Sequence, residues 1–351
     1  MSESEENAVA TAGQRVLVTG ATGFLGQHLC AELIAAGFEV VALCRNPESG
    51  AARLLPQRVK RLQGDVLDAD AVASAALGCE GMFHCAGQVS RDPEDALDMM
   101  RVNFEGTKVA LSAAKTAKVK RVVLASTSGT IAISESDEEI ADENLERPLE
   151  LINRWGYYRS KLYAEQWALD QCADDFEVVV ANPSLLLGPG DLNGSSTLDV
   201  RRYLEQPLPV APHGGIAFVD ARDAARGLVL AFQRGVSGRC YLLNACNCST
   251  RTFLSRIARV SDLSAPVFRM PKSRAISRLN VWLTQRANDL MGDDDSLPDA
   301  HSVDIAQHFW YCDASRAERE LGWRARDPMV TLADTVEDLR HRGLVMMSPP
   351  S

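Results

Sequence analysis

The sequence lacks any apolar stretch close to the roughly 18 residues that a membrane-spanning helix needs. Its first residues, Met1–Glu6, are acidic and polar, and they lack the basic and apolar regions of a secretory signal. We therefore expect a cytoplasmic protein without a membrane span.

Clusters of Lys and Arg that could neutralise a run of phosphates are also missing. The 351 residues include 37 Lys and Arg against 47 Asp and Glu, which gives a formal net charge of −10. An acidic chain without a basic patch is repelled by the phosphate backbone. We expect no nucleic-acid partner.

No two of the nine cysteines have the C-x-x-C spacing of a redox or zinc motif. The odd number favours reduced thiols. Cys240, Cys246 and Cys248 lie close in sequence, but no His or second cysteine pair completes a zinc pattern there. We expect no metal and interpret the cysteines as small apolar residues.

What is present is the composition of an ordinary globular protein, with 46% hydrophobic and 24% charged residues. The β-branched run Arg15–Thr19 ends in glycine and predicts a buried strand. Phe24–Ala36 has helical apolar spacing and stops at Gly37, and Phe38–Leu43 predicts a second strand. Together these segments predict a βαβ unit.

The alternation of strand and helix patterns continues toward the middle of the chain. Apolar runs predict strands at Val59–Leu62, Gly81–Cys85, Val119–Ala125 and Val178–Ala181. Repeated βαβ units predict an α/β fold with a doubly wound parallel sheet, the Rossmann fold. In such sheets ligands bind at the carboxyl ends of the strands.

Proline and glycine punctuate the chain more heavily after Pro183, which predicts a smaller, irregular region. The predicted organisation is a disordered tail over 1–13, a dinucleotide-binding Rossmann domain over 14–183 and a mainly substrate-binding region over 184–345. Segments around 215–245 are expected to return to the Rossmann domain. Further predicted elements are helices at Ala221–Gln233, near Thr252–Arg259 and near Ser315–Leu321, and a strand at Arg239–Leu243.

Three glycines, Gly20, Gly23 and Gly26, lie where the first predicted strand turns into a helix. Glycine permits a tight turn, and the helix N-terminus presents free N–H groups and its positive dipole end to a pyrophosphate. We interpret this turn as a dinucleotide site. The alternative is a βα turn whose glycines serve packing alone.

The end of the second strand discriminates between the two nicotinamide dinucleotides. NAD sites place a carboxylate there for the ribose 2′-hydroxyl, whereas a 2′-phosphate needs a cation. Cys44 and Arg45 occupy that place, so we favour NADPH and keep NAD as the alternative. Asp65, after the third strand, is a candidate acceptor for the adenine amino group, or the cap of a turn.

Tyr157 and Lys161 are four residues apart in a helical stretch and so share one helix face. An adjacent ammonium favours the phenolate and brings the pKa of a Tyr toward the neutral range, which makes it a usable proton donor. Ser126, Thr127 and Ser128 follow the fifth predicted strand, where a hydroxyl can hold a carbonyl oxygen beside the Tyr. The alternative there is a turn whose hydroxyls bond their own backbone.

In this order, the features resemble the extended branch of the short-chain dehydrogenase/reductase superfamily, over almost the whole chain. The family's T-G-A-T-G-F-[LI]-G and Y-x-x-x-K motifs match Thr19–Gly26 and Tyr157–Lys161. Other segments similar to family motifs are Phe83–Gly87, Val102–Thr107, Asn182–Gly190 and Phe218–Ala225.

The resemblance implies a role for each catalytic residue. Tyr157 would exchange the proton, Lys161 would lower the pKa of Tyr157 and hold the nicotinamide ribose, and Thr127 would orient the substrate oxygen. Tyr158 and Tyr163 are the local alternatives to Tyr157, and the neighbouring serines remain alternatives to Thr127.

The resemblance and the local patterns also define the expected cofactor site. The residues expected to bind the dinucleotide are Gly20, Thr22, Gly23, Phe24, Leu25, Gly26, Arg45, Asp65, Val66, Cys85, Ala86, Gly87, Asn103, Tyr157, Lys161, Pro183 and Ser184. Relatives commonly dimerise through two long helices, so a homodimer is expected by resemblance.

Two further segments favour a carbonyl reductase. Leu124–Thr130 looks like the matching segment of dihydroflavonol reductases, and Ser184–Leu187 is apolar, which suits a hydrophobic ketone or aldehyde. Arg201, Arg202 and Arg222 could hold a diphosphate, so a nucleotide-sugar epimerase or dehydratase with tightly bound NAD(P) is the alternative. A non-catalytic dinucleotide-binding regulator is disfavoured, because such members typically lose the Tyr or the Lys.

Overall fold

The computed structural model describes residues 13–207, 209–269 and 300–346. Apart from Gly13, the predicted disordered tail over 1–13 lies outside the described residues. Among the helices that are described, none is long and apolar enough to cross a membrane.

The strands of the described residues form one large sheet and two small ones. In the large sheet all neighbouring strands are parallel, in the order β10-β6-β5-β4-β1-β2-β3. This arrangement confirms the predicted doubly wound fold. The strands are β1 (Arg15–Thr19), β2 (Glu39–Cys44), β3 (Lys60–Gln63), β4 (Gly81–His84), β5 (Arg121–Ala125), β6 (Glu177–Pro183), β7 (Leu185–Leu187), β8 (Val210–Ala211), β9 (Gly215–Asp220), β10 (Cys240–Leu243), β11 (Cys246–Ser249) and β12 (Phe268–Arg269).

Helices cover both faces of the large sheet. In the described residues they are α1 (Phe24–Ala35), α2 (Gly50–Arg53), α3 (Ala69–Ala76), α4 (Ala96–Met99), α5 (Gly106–Thr116), α6 (Leu149–Ile152), α7 (Gly156–Leu169), α8 (Leu198–Glu205), α9 (Ala221–Arg234), α10 (Thr250–Ser261), α11 (Ala300–Ile305) and α12 (Pro328–His341). Short 3₁₀ turns lie at Pro93–Asp95 and Ser128–Thr130, and π-helical turns at Met100–Glu105 and Ala317–Leu321.

Two apolar cores lie on opposite faces of the large sheet. Helices α1 and α9 pack together on one face, and α3, α5 and α7 pack on the other. Val16, Leu17 and Val18 of β1 are fully buried. Burial on both faces is why a parallel strand has an unbroken apolar run.

The strand order creates a crevice at the carboxyl ends of β1 and β4. The chain runs outward from β1 through β2 to β3, then crosses back to place β4 on the other side of β1. The loops after β1 and β4 therefore diverge, and such a switch point is where doubly wound sheets bind ligands. The loops after β5 and β6 open on the same edge.

A second layered unit holds part of the region predicted to be irregular. Strands β7, β9 and β11 form a sheet whose apolar side packs against α8, α10 and α12. Strand β9 and helix α12 were not predicted, and the expectation of irregular structure is wrong for them. Glycines before β9 suggested a loop, but Phe218 and Val219 are fully buried in the strand.

Candidate active site

The turn after β1 can be built only with glycine at two positions. Gly20 has a φ of +69°, and a Cβ there would lie 2.5 Å from the backbone N of Ala86. A Cβ at Gly26 would lie 2.1 Å from the carbonyl oxygen of Gly20. The turn is closed by Gly23 N, which donates to Gly20 O at 3.0 Å. The first turn of α1 follows without a side-chain cap, so its N–H groups suit an anion such as a pyrophosphate.

A second loop is tied to the same helix. Gln27 Nε2 donates to Gly190 O at 3.0 Å, and His28 Nε2 lies 2.9 Å from Pro189 O. Within α1 itself, Phe24 is buried, whereas Leu25 and the preceding Thr22 are partly buried. The loop after β7 is thereby held beside the glycine turn, as a clamp over a bound dinucleotide requires.

Two residues that are expected near the adenosine, Arg45 and Asp65, differ in their surroundings. Arg45 is exposed directly after β2, free to reach a phosphate. Asp65 Oδ1 accepts from Leu67 N at 2.9 Å, so its carboxylate caps a turn. Val66 beside it is partly buried, near Gly106.

The segment after β4 is fixed by one amide side chain. Asn103 Oδ1 accepts from Gln88 N at 2.7 Å, and Asn103 Nδ2 donates to Gln88 O and to Ser160 Oγ, each at 2.9 Å. A Cβ at Gly87 would lie 3.0 Å from Asn103 Oδ1. Asn103 therefore joins Gln88, directly after the segment Cys85–Gly87, to Ser160 of α7.

A buried histidine that the sequence analysis did not single out, His84, connects the strands next to this segment through its side-chain contacts. Thr107 Oγ1 donates to Asn103 O at 2.6 Å, so its contact with His84 Nε2 at 3.1 Å must be one that it accepts. His84 Nδ1 then accepts from Thr19 Oγ1 at 2.8 Å. Burial, with the Lys161 ammonium, lowers the pKa of His84 to about 3. A neutral histidine thus joins the ends of β1 and β4.

Tyr157, Lys161 and Thr127 come together at the carboxyl end of β5. The Tyr157 side chain lies close enough to that of Thr127 for Thr127 to lower the pKa of the phenol. Lys161, one helical turn further along α7, donates from Nζ to Ala125 O at 2.6 Å. The structure therefore places the three predicted catalytic residues within one constellation.

The pKa of Tyr157 differs from the sequence-based expectation. Burial raises the pKa of Tyr157 above its ordinary value, the neighbouring Tyr158 raises it further, and the Thr127 side chain opposes both. Lys161 does not lower it, because its ammonium is directed to Ala125 O. Tyr157 is therefore a neutral phenol at neutral pH. Burial lowers the pKa of Lys161 itself to about 8, against the raising effect of Cys85 and Glu165.

The neighbouring hydroxyls have other partners. Ser126 Oγ donates to Glu165 Oε2 at 2.5 Å, and the Ser128 side chain is hydrogen-bonded to the Cys312 thiol. Of the three candidates, Thr127 is the one beside Tyr157.

Of the two alternative tyrosines, Tyr158 contacts the Tyr157 ring with a centroid distance of 5.1 Å, and Tyr163 lies at the surface. The Tyr158 ring packs against Trp310 with a centroid distance of 4.8 Å and against Trp155 at 6.0 Å. Tyr163 is 40% exposed and contacts Phe104. Neither hydroxyl has a hydrogen bond to Thr127 among the contacts of the described residues.

The segment after β6 departs from the expectation for its hydroxyl. Pro183 ends β6 opposite Leu243 of β10. Ser184 is only 4% exposed, and its hydroxyl donates to Leu243 O and Asn244 Oδ1. The Ser184 hydroxyl is therefore directed into the protein, toward β10.

The leucines that suggested a hydrophobic substrate also lie in the interior. Leu185, Leu186 and Leu187 form β7 and contribute to the cores on either side of it. Leu187 is buried, and Leu185 and Leu186 are partly buried, so packing accounts for part of their apolar character.

The described part of the chain holds no group of three or more His, Cys, Asp or Glu side chains placed to bind a metal ion. Cys240 lies instead beside Glu165, with its Sγ 3.4 Å from Oε1.

Comparisons with known proteins identify relatives of several activities. The sequence model of the NAD dependent epimerase/dehydratase family matches residues 16–244. The chain is 31% identical over 333 residues to a Synechocystis protein that carries the name of a dihydroflavonol 4-reductase, covering 93% of this chain and 95% of that protein. It is 36% identical over 235 residues to cinnamoyl-CoA reductase 1 of Oryza sativa, covering 63% and 68%.

Solved structures share the fold. A nucleoside-diphosphate-sugar epimerase from Pseudomonas aeruginosa superposes with a TM-score of 0.76 at 23% identity, over 95% of this chain and all of that one. At this identity the likeness concerns the fold alone.

Proposed function

The chain belongs to the NAD dependent epimerase/dehydratase family, and we propose that it uses NADPH to reduce a hydrophobic ketone or aldehyde to an alcohol. Its similarity to reductases confirms the resemblance to the dihydroflavonol-4-reductase-like branch of the extended short-chain dehydrogenases/reductases. The protein is an NAD(P)-dependent oxidoreductase. The carbonyl substrate and the preference for NADPH are the proposal.

One observation carries the proposal: the Tyr157 side chain lies beside that of Thr127, with Lys161 one turn away, at the edge where the glycine turn lies. The bound dinucleotide would supply a hydride from its nicotinamide C4. Tyr157, held as a neutral phenol, would donate its proton to the carbonyl oxygen. The Thr127 hydroxyl would hold that oxygen in place, and Lys161 would hold the nicotinamide ribose.

A hydrophobic substrate is supported by the aromatic side chains next to Tyr157. Tyr158 and Trp310 are both partly buried and stack on each other. The ideal Cβ position of Gly129, two residues after Thr127, is 2.3 Å from the Tyr158 ring and 3.2 Å from Trp310. A wall of rings beside the proposed proton donor favours an apolar carbonyl compound.

The preference for NADPH rests on Arg45. Replacing Arg45 by Ala is expected to weaken NADPH binding about tenfold or more and to leave NADH binding nearly unchanged, because only NADPH offers a 2′-phosphate. Dissociation constants from fluorescence titration test this. Arg53→Ala, an exposed arginine on α2 paired with Glu48, is the control and should change neither constant. Equal loss of both cofactors in Arg45→Ala would refute the role of Arg45.

The alternative of a nucleotide-sugar enzyme loses part of its support. Arg222 is paired with Asp220 and Asp334, and Arg201 with Glu205. Two of the three guanidinium groups that could have held a diphosphate are thus already paired with carboxylates.

Steady consumption of NADPH tests the proposal. Purified protein is expected to oxidise NADPH faster than NADH when hydrophobic aldehydes, ketones or flavanonols are added. Conversion of a nucleotide sugar without net cofactor oxidation, with no carbonyl compound reduced, would establish the alternative. The homodimer and the cytoplasmic location stay predictions.

A further inference from the structure

A fully buried carboxylate lies on the same helix face as the proposed catalytic pair. Glu165 follows Lys161 by four residues and Tyr157 by eight, so all three lie along one stripe of α7. Glu165 is 0% exposed. Sequence patterns gave no reason to single it out.

The Oε2 atom of Glu165 binds both sides of the turn that carries Thr127. It accepts from Ser126 Oγ at 2.5 Å and from Thr130 Oγ1 at 2.9 Å. It also accepts from Asn182 Nδ2 at 2.8 Å, and the same amide nitrogen lies 3.2 Å from Thr127 O. One oxygen atom therefore connects α7, the Thr127 turn and the end of β6.

The other carboxylate oxygen of Glu165, Oε1, pairs with a positively charged side chain. Arg147 donates from Nη2 to Glu165 Oε1, and Cys240 Sγ lies 3.4 Å from the same atom. Arg147 also donates from Nη1 to Thr130 O at 3.4 Å. Pairing with Arg147 and these hydrogen bonds compensate for the hydration that the carboxylate loses on burial.

Glu165 is also the charged neighbour of Lys161 at neutral pH. The titratable groups near the Lys161 ammonium are Cys85 and His84 from β4, and Tyr157 and Glu165 from its own helix. Burial raises the pKa of Cys85 to about 12, so its thiol is uncharged, and His84 and Tyr157 are neutral as well. The carboxylate of Glu165 is left to favour the ammonium form.

We propose that Glu165 is a positioning residue for the proposed reduction, with two effects: it holds the Thr127 hydroxyl against Tyr157, and its charge keeps Lys161 protonated. This inference rests on the proposed function for its catalytic consequence. The proposed effect of the Glu165 charge concerns Lys161 alone. It can be measured as the pKa of Lys161, without any enzymatic turnover.

The charge and the reach of Glu165 can be separated by two substitutions. Glu165→Gln keeps the length but removes the charge, so the pKa of Lys161 falls. Since Lys161 acts as an ammonium that is lost as pH rises, the alkaline limb of the kcat profile moves to lower pH, by about one unit. Glu165→Asp keeps the charge but moves the carboxylate oxygens away from the turn that carries Thr127. We therefore expect kcat to fall about tenfold to hundredfold, while the alkaline limb of its pH profile does not shift.

Glu177→Gln is the matched control. Glu177 pairs with Arg121 at the opposite, amino ends of β6 and β5, so this substitution breaks an ion pair without touching Thr127 or Lys161. Neither kcat nor the alkaline limb should change. Should Glu165→Gln fail to fold with Arg147 unpaired, the double variant Arg147→Gln/Glu165→Gln removes both charges, and a smaller downward shift is expected, because the lost Arg147 cation had opposed the ammonium.

An NMR titration of ε-¹³C lysine measures the pKa of Lys161 directly, with Lys161→Met identifying the resonance. The midpoint is expected to fall by about one unit in Glu165→Gln and to stay in Glu165→Asp and Glu177→Gln. An unchanged midpoint in Glu165→Gln would overturn the electrostatic role, and full kcat in Glu165→Asp would overturn the positional one. A shifted midpoint in a protein that reduces no carbonyl compound would instead reject the proposed function and leave the effect on Lys161 standing.

Discussion

Replacing Tyr157 by Phe is expected to lower kcat for carbonyl reduction by about 10²- to 10⁴-fold. The substitution removes the hydroxyl beside Thr127 and leaves the ring in place. Because the ring still fills its site, the dissociation constant for NADPH should change by less than about threefold, which is under 1 kcal/mol. Initial rates and a fluorescence titration on the same preparation measure both quantities.

Tyr158→Phe is the matched control, because it removes the same atom one residue away. The Tyr158 ring packs between Trp155 and Trp310, and its contacts are made by the ring rather than the hydroxyl. We expect kcat within about threefold of the original, a change under 1 kcal/mol in the barrier. A large loss in Tyr158→Phe with an active Tyr157→Phe would exchange the roles of the two residues.

Replacing Gly26 by Ala is expected to weaken NADPH binding about tenfold to hundredfold. The added Cβ would lie 2.1 Å from Gly20 O, so the turn must move, and overpacking of this kind costs about 1–3 kcal/mol. The moved atoms belong to the turn that would face the pyrophosphate. Isothermal titration calorimetry with NADPH measures the loss.

Gly50→Ala provides the comparison for this variant. A Cβ at Gly50, the first residue of α2, would meet no atom within 4 Å, and the position does not need a positive φ. Its cofactor affinity should equal that of the original protein. Unchanged NADPH affinity in Gly26→Ala would show that the turn does not form the phosphate site.

The central sheet could be predicted because its signal is local. Strand β1 matches the predicted bounds at Arg15–Thr19, and α9 ends within one residue of the predicted Ala221–Gln233. Continuous apolar runs separated by amphipathic helices need no distant partner to be recognised. The helix expected near Ser315–Leu321 is also found: Ser315 and Arg316 are α-helical and lead into the π-helical turn over Ala317–Leu321.

The second sheet was missed because its elements depend on tertiary contacts. Strand β7 has three residues and pairs with β9, more than 25 residues later in the chain. Helix α12 did carry a local signal, since Asp327 caps it by accepting from Met329 N, with Pro328 at the first helical position. Recognising that cap would have found the helix.

In the candidate site, sequence could name residue types but not their partners. Spacing alone placed Tyr157 and Lys161 on one face, whereas Ser126, Thr127 and Ser128 differ only in where each hydroxyl is directed. For the same reason, no sequence motif could identify Glu165 as important. Its importance arises from donors that approach from β5, β6 and the loop before α6.

Transfer of label from the cofactor tests the central claim most directly. The protein would be supplied with NADPH carrying deuterium at C4 on the transferred face, together with a hydrophobic ketone, and the product analysed by mass spectrometry. We predict one deuterium on the carbinol carbon for each NADPH oxidised. An unlabelled product, or labelled cofactor recovered unchanged while a nucleotide sugar is converted, would contradict the assignment as a carbonyl reductase.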